Sequence, residues 1–478
     1  MTKFQNRIIQ FSIALLQFAS LLPKASAQNV AEEKSYYVER RSYGTQKETD
    51  PPRYVKAIQN TWLKDHTDIG WLDLGLEYRF RYEHRDNDFR RGEEAIDNPF
   101  LHRTRFYVQV RNVIDPIRFT IEVQDSQRRN SEFDPDNRDI NHLEPIQAYS
   151  ELYFKDALGN NRPLSLRAGR MAFEVVDRRL IARNEWRNTT NTFFGVRSIL
   201  GKKENDWQLD AFALQPLERR IQAIDDDEDS QWFYGAVGDW RRWSEIVSLQ
   251  PYYLTLRQDG DKVPESRADN TKIDREIHTV GLRGYGVFDK TGLDYDLNVV
   301  HQYGKNGTQN HHAYGYIAEG GYTAPLAWKP RFAASYATAS GDRIADDNSS
   351  QRFDRLFGFA RPWSNNDYFQ MENIVTPKLR VEFTPLKDLK IDAGYSWYYL
   401  DSVSDRWAGG NGLRDTSGES AKDVGEEVDL RVRFPVTAYV GVNLGYAYFN
   451  AGSFTRAQTP GRDPYSHFFY SEISLYGF

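Results

Sequence analysis

The chain has 478 residues and a formal net charge of −6, from 62 Lys and Arg against 68 Asp and Glu, so it lacks the basic footprint of a nucleic-acid binder. Without cysteine it has no disulfide, thiolate metal site or cysteine nucleophile. A mean hydropathy of −0.71 is too polar for a bundle of membrane helices. A β-barrel can span a bilayer at this composition, because only every second residue of each strand meets lipid. The aromatic content of 14% suits the interfacial girdles of such a barrel, and also a soluble sugar-binding β-protein.

Residues 1–27 read as a secretory signal peptide: Lys3 and Arg7, then the apolar stretch Ile8 to Leu22, then Ala25-Ser26-Ala27 as a cleavage site before Gln28. The stretch is shorter than the ~20 residues a membrane helix needs. Cleavage would remove Lys3, Arg7 and Lys24 and no acid, taking the charge from −6 to −9. With no cysteine after the site, a lipoprotein is excluded. Residues 28–69 are expected to form a polar periplasmic extension with a short helix from Arg53 to Lys64; a plug inside the barrel is the less favoured placement.

From residue 70 the pattern acquires a period of two. Leu72, Leu74, Leu76, Tyr78, Phe80 and Tyr82 fall on one face, and Asp73, Glu77, Arg79, Arg81, Glu83 and Arg85 on the other. That is a strand with one side for lipid and one for water. Eighteen such segments are expected, around 71–85, 100–114, 116–128, 145–156, 163–174, 192–202, 206–216, 231–243, 246–258, 275–288, 292–304, 312–323, 329–341, 371–384, 388–401, 425–436, 438–450 and 466–478. Short links such as Asp115-Pro116, Asp289 to Gly292 and Pro435 to Thr437 would lie on the periplasmic side. The stretches 86–99, 129–144, 175–191, 217–230, 259–274, 341–370, 402–424 and 451–465 would be extracellular loops. The fold class is therefore all-β, a transmembrane antiparallel β-barrel over residues 70–478, with the last strand closing on the first. Its expected home is the outer membrane of a Gram-negative-type bacterium. Tyr470, Tyr476 and Phe478 give an aromatic C-terminal strand that resembles the signal read by the barrel-insertion machinery, with a bulge near Gly477 to reconcile the alternation.

Placing the apolar faces outward puts Arg79, Arg81, Arg103, Arg105, Arg111, Arg118, Glu122, Glu151, Arg167, Arg170, Arg197, Asp210, Arg431 and Arg433 in the lumen. Guanidinium groups give rigid two-point donation to carboxylates, and a ring of them in a water-filled constriction selects for anions. The same arginines could instead brace the wall against its carboxylates. No His-Glu-x-x-His, Gly-x-Ser-x-Gly or phosphate-binding glycine loop is present, and neither an enzymatic activity nor a cofactor is expected. His311-His312 would face opposite ways on a strand and make a poor metal site. The acidic runs Asp134 to Asp139, Asp225 to Asp229 and Asp346 to Asn348 leave a structural calcium as an alternative to solvated loops.

One segment goes further. Leu166-Arg-Ala-Gly-Arg170 is followed by Glu174, Asp177-Arg-Arg-Leu-Ile181, Glu185-Trp-Arg-Asn-Thr189 and Phe194-Gly-Val-Arg197; Ala339-Ser-Gly-Asp342 and Arg352-Phe-Asp-Arg-Leu-Phe357 come later. Together they resemble the alginate export family of outer-membrane proteins. Phe193-Phe194-Gly195 stands where that family often has F-D-G, and Met171 where it often has Gln. The resemblance implies a monomeric, eighteen-stranded barrel with an arginine-rich lumen that passes a polyuronate outward. Its partners would be outer-membrane lipid, an anionic polysaccharide or small anionic solute, and the insertion machinery. The alternatives are a general anion-preferring porin, an outer-membrane barrel enzyme and a secreted sugar-binding β-protein.

Overall fold

The structure, a computed structural model, describes residues 45, 47–64, 69–227, 229–263, 271–288, 290–344 and 347–478. The signal peptide expected at 1–27 and the first part of the extension lie outside the described residues. Eighteen long antiparallel strands form one closed barrel. They are β1 (Leu72–Asp86), β2 (Phe100–Ile114), β3 (Ile117–Arg129), β4 (Asn141–Phe154), β5 (Leu164–Met171), β6 (Phe193–Leu200), β7 (Trp207–Glu218), β8 (Gln231–Trp240) and β9 (Ser248–Gln258). The circuit continues through β10 (Arg275–Phe288), β11 (Leu293–Asn306), β12 (Gln309–Thr323), β13 (Arg331–Ala339), β14 (Ile374–Leu386), β15 (Leu389–Tyr399), β16 (Asp423–Pro435), β17 (Val440–Ala451) and β18 (Tyr465–Tyr476). Pairing of β1 with β18, from Glu77↔Tyr476 to Asp86↔His467, closes the cylinder, as a sheet in hydrocarbon requires. This pairing runs unshifted to Tyr476, without the bulge expected near Gly477.

Alternation sorts the side chains. Ile121 is 54% exposed and its neighbour Glu122 fully buried; Phe106 is 47% exposed and Arg105 buried. Apolar groups outside and charges inside invert the order of a soluble protein and match a barrel surrounded by lipid. Short and long connections alternate, except that β11 and β12 join through residues 307–308 at the long-loop end.

The interior is not an open bore. The stretches 172–192 and 351–373, expected largely as extracellular loops, turn into the cylinder. There they meet: the Phe357 N–H donates to Leu180 O at 2.9 Å and the Ala182 N–H to Phe357 O at 3.2 Å, and Ile181 and Phe357 form a parallel bridge. Around this contact Phe173, Leu180, Phe193, Phe353, Trp363, Phe369 and Trp407 belong to one buried apolar cluster. These stretches carry too much apolar surface to remain in water, and folding inward removes it. The entry point is marked by two glycines. Gly169 and Gly195 oppose each other across β5 and β6 at φ of +132° and +150°, and a Cβ on them would lie 2.4 Å from Ala148 O and 2.3 Å from Ala213 O. Only glycine fits both the conformation and the approach.

The helix expected over 53–64 does not form. Val55–Ala57 is a short strand paired with Asp73 to Gly75 of β1, followed by one 3-10 turn, Ile58–Asn60. β1 begins before its β18 pairing does, so its periplasmic end offers a free edge to another strand. Tyr54, Val55 and Ile58 are buried there. Tertiary pairing has overridden local helix propensity, which is a weak preference.

Candidate conduction path in the barrel interior

The wall arginines converge on the loop segment 183–190. The Glu185 carboxylate accepts from Arg105 at 2.7 Å, Arg183 at 3.0 Å and Arg103 at 3.3 Å. Its backbone oxygen accepts from Arg79 at 2.7 Å and Arg103 at 3.2 Å. Arg81 donates to Trp186 O at 2.6 Å. The Trp186 ring also meets the guanidinium groups of Arg81, 4.0 Å away, and Arg361, 3.5 Å away, and packs on Tyr470 at 4.6 Å between centroids. Arg183 reaches back to Glu122 at 2.7 Å. The backbone leading here is strained: Val176, Asp177 and Arg178 have φ of 47°, 56° and 63°, in the left-handed region that costs about 1–3 kcal/mol per non-glycine residue. The Asp177–Arg179 ion pair at 3.2 Å helps to hold it.

The other residues singled out in the sequence are committed in the same manner. Arg111 pairs with Asp73 at 2.7 Å. Arg118 lies 3.5 Å over the Tyr153 ring and 3.8 Å from Glu151. Arg167 bridges Glu151 at 3.0 Å and Asp50 of the N-terminal segment at 2.6 Å. Arg170 contacts Glu144 and donates to Asp225 O at 2.7 Å. Arg197 holds Asp210 through two contacts, at 2.9 and 2.5 Å. Arg431 and Arg433 share Asp392 at 2.6 and 3.6 Å. Each predicted arginine thus has a carboxylate or carbonyl partner.

Sequence reasoning missed a different group. Arg138, Arg187, Arg219 and Arg355 come from four loops and are electrostatic neighbours of one another. Among the described residues, the Arg187 and Arg355 side chains make no hydrogen bond or ion pair. Arg219 donates to Thr189 Oγ1 at 3.0 Å, and Arg138 approaches Asp136 at only 3.9 Å. Beside them opens a recess whose charged lining is Arg81, Arg85, Arg90, Arg91, Arg138 and Arg187 with Asp136, Asp139 and Asp367. Loop residues have no periodicity to betray their direction; the one available signal was the Trp186-Arg187 step of the motif.

Thr45 and residues 47–58 cross the lower lumen. The Tyr54 hydroxyl donates to Glu122, the Glu48 N–H to Glu174 at 2.9 Å, and Arg178 to Thr45 O at 3.2 Å. In the acidic run at 225, Asp225 accepts from Asn141 and from the Arg220 N–H, both at 2.9 Å. Among the described residues no three His, Asp or Glu side chains converge as a metal-holding group.

A closed eighteen-stranded cylinder with a lipid-facing exterior and a charged interior defines an outer-membrane β-barrel channel. The sequence matches the alginate export family over residues 70–469, and the chain belongs to that family. The barrel is similar to the Pseudomonas aeruginosa OpdK structure with vanillate, at 11% identity and a TM-score of 0.58, over 85% of this chain and 98% of that one. It is similar to Acinetobacter baumannii OccAB1, at 11% identity and a TM-score of 0.58, over 85% and 97%. It is also similar to Pseudomonas aeruginosa OprD, at 11% identity and a TM-score of 0.55, over 84% and 94%. At these identities the likeness is one of fold. No curated protein matches the sequence.

Proposed function

We propose that this channel carries an anionic polysaccharide of the polyuronate type through its arginine-rich interior. The observation that carries the reading is the group Arg138, Arg187, Arg219 and Arg355, where positive charge is gathered on the path and where, among the described residues, Arg187 and Arg355 make no ion pair. Fixed guanidinium charge in an enclosed wet space attracts a file of carboxylates. The neutralised arginines of the wall hold the loops that position this group, and their acids keep binding weak enough for release. The closed barrel of a single chain supports a monomeric unit, and the aromatic residues Tyr470 and Tyr476 of β18 support entry through the insertion machinery. A second reading, a porin for small anionic solutes, is favoured by how far the inward loops fill the bore; the similar OpdK structure holds vanillate.

Purified channels in planar bilayers should pass chloride in preference to potassium, and Arg187→Glu with Arg355→Glu should bring the reversal potential to zero or beyond. Arg103→Glu alone should move it little, since that guanidinium already faces Glu77 and Glu185 at 3.1 and 3.3 Å. Unchanged selectivity in the double variant rejects the path. Added oligouronate should interrupt the current in discrete events under the polysaccharide reading and leave it smooth under the porin reading.

The N-terminal segment should make the current depend on pH. Burial, then the neighbouring Glu185, push the Glu48 carboxyl up to about 6 against the pull of Arg183 and Arg53. A carboxyl raised in the seated state binds its proton more tightly there, so seating is strongest at low pH and weakens as pH rises through about 6. Conductance should therefore rise between pH 5 and pH 7, and Glu48→Gln should abolish that rise.

A further inference from the structure

The nine histidines are unevenly placed. Every histidine of the described barrel strands lies within a few residues of the extracellular end of its strand, and all but His311 fall on outward-facing positions. The periplasmic rim instead exposes Trp71, Trp240, Trp243 and Trp328, the usual aromatic belt of a barrel. At the extracellular rim one arrangement occurs three times. The Tyr78 hydroxyl lies 2.8 Å from Nδ1 of His102, Tyr253 2.7 Å from Nδ1 of His278, and Tyr446 2.8 Å from Nδ1 of His467.

The register is the same each time. His102 sits opposite Phe80, His278 opposite Thr255 and His467 opposite Tyr448. In every case the tyrosine is two residues nearer the membrane centre on the adjacent strand. A phenol in that apolar position donates to Nδ1, which leaves the ring proton on Nε2. The imidazole is then oriented with a donor directed away from the hydrocarbon. Flanking rings fix its plane: Phe80 lies 5.2 Å from His102, Tyr303 5.0 Å from His278 and Tyr448 5.2 Å from His467. One row further out, cations stand at two of the three dyads. Arg129 stands beyond His102, and Arg257 and Lys305 flank Glu276 beyond His278. Glu276, 3.5 Å from His278 Nε2, is offset by those two cations.

We infer that these tyrosine–histidine dyads are receptors for the phosphate groups of the glycolipid that forms the outer leaflet. They stand at the extracellular end of the wall alone, each directing an N–H donor where a phosphate would lie; basic side chains stand beside it at His102 and His278, while Asp86 lies opposite His467. Two dyads share one side of the barrel, because β17, β18, β1 and β2 are consecutive around the wall, and the third lies on β9 and β10. Nothing in this role depends on what the lumen conducts.

The test compares bis-phosphorylated lipid A with its dephosphorylated form, both added to the full barrel in detergent and followed by native mass spectrometry. The wild-type barrel should retain the phosphorylated lipid several-fold better. His102→Gln, His278→Gln and His467→Gln together should erase the difference, and Tyr78→Phe, Tyr253→Phe and Tyr446→Phe together should reduce it by freeing the ring tautomer. Equal retention of the two lipids by the wild type, or an undiminished phosphate preference in the histidine variant, overturns the proposal. If the triple variants fail to reach the folded form, seen as lost heat-modifiable migration on a gel, the wild-type comparison still decides.

Discussion

A chain lacking residues 28–58 is expected to conduct several-fold more current than the intact one. The described residues of that segment, 45 and 47–58, lie across the lower lumen rather than beside it. Asp50 occupies Arg167, Tyr54 occupies Glu122, and Val55 to Ala57 are stitched to the edge of β1. Removing it forfeits the pairing of Val55 to Ala57 with Asp73 to Gly75 but leaves the β1–β18 ladder intact, because the short strand covers only the overhang of β1 below its β18 partners. It also leaves Arg167 with Glu151 and Glu122 with Arg183, so neither becomes an unpaired buried charge. Anion preference should rise together with conductance, because the acid that takes up Arg167 is gone. Asp50→Ala should produce part of the selectivity change with little of the conductance change. Single-channel recordings that match the intact chain in both quantities would sink the idea that this segment obstructs the path.

Glu185→Ala is expected to release the inward loop. Arg103, Arg105 and Arg183 all donate to that carboxylate, whose side chain is 9% exposed. Breaking a buried ion pair by deleting one partner costs about 3–5 kcal/mol, because a desolvated charge is left behind. Here three guanidinium groups lose one acceptor, and the left-handed run at Val176 to Arg178 pulls the same way once its restraint weakens. Hydrogen exchange should accelerate at residues 180–190, and conductance should become noisy as the loop samples open positions. The wall, held by its own strand ladders, should keep its heat-modifiable migration. Glu185→Gln keeps an acceptor in place and should show a smaller effect. Full protection of 180–190 in the alanine variant would mean that the apolar contacts of Leu180 and Ile181 hold the loop unaided.

The outward half of the molecule was legible because lipid imposes a rule on every strand. Period two in Leu72 to Arg85 announces which residues face hydrocarbon, and eighteen repetitions leave few other folds. The motif glycines were equally visible, although only the opposed backbone at Gly169 and Gly195 explains them. The inner half was hidden for a matching reason. No solvent boundary runs through the lumen, so the direction of loops 172–192 and 351–373 depends on how their apolar side chains pack together. Arg187 and Arg355 look like ordinary surface arginines until those loops fold inward. The extension was misread on similar grounds, since a helix over 53–64 satisfies local preference and the free edge of β1 is invisible in one dimension.

By itself, then, the order of residues determined a membrane cylinder, its strand count and its family, since each strand answers separately to lipid on one side and water on the other. Only the tertiary structure decided that the bore is filled by its own loops and N-terminal segment, and which arginines keep their charge free. Those outcomes depend on contacts between residues far apart in the chain, where burial and pairing of charge are settled jointly.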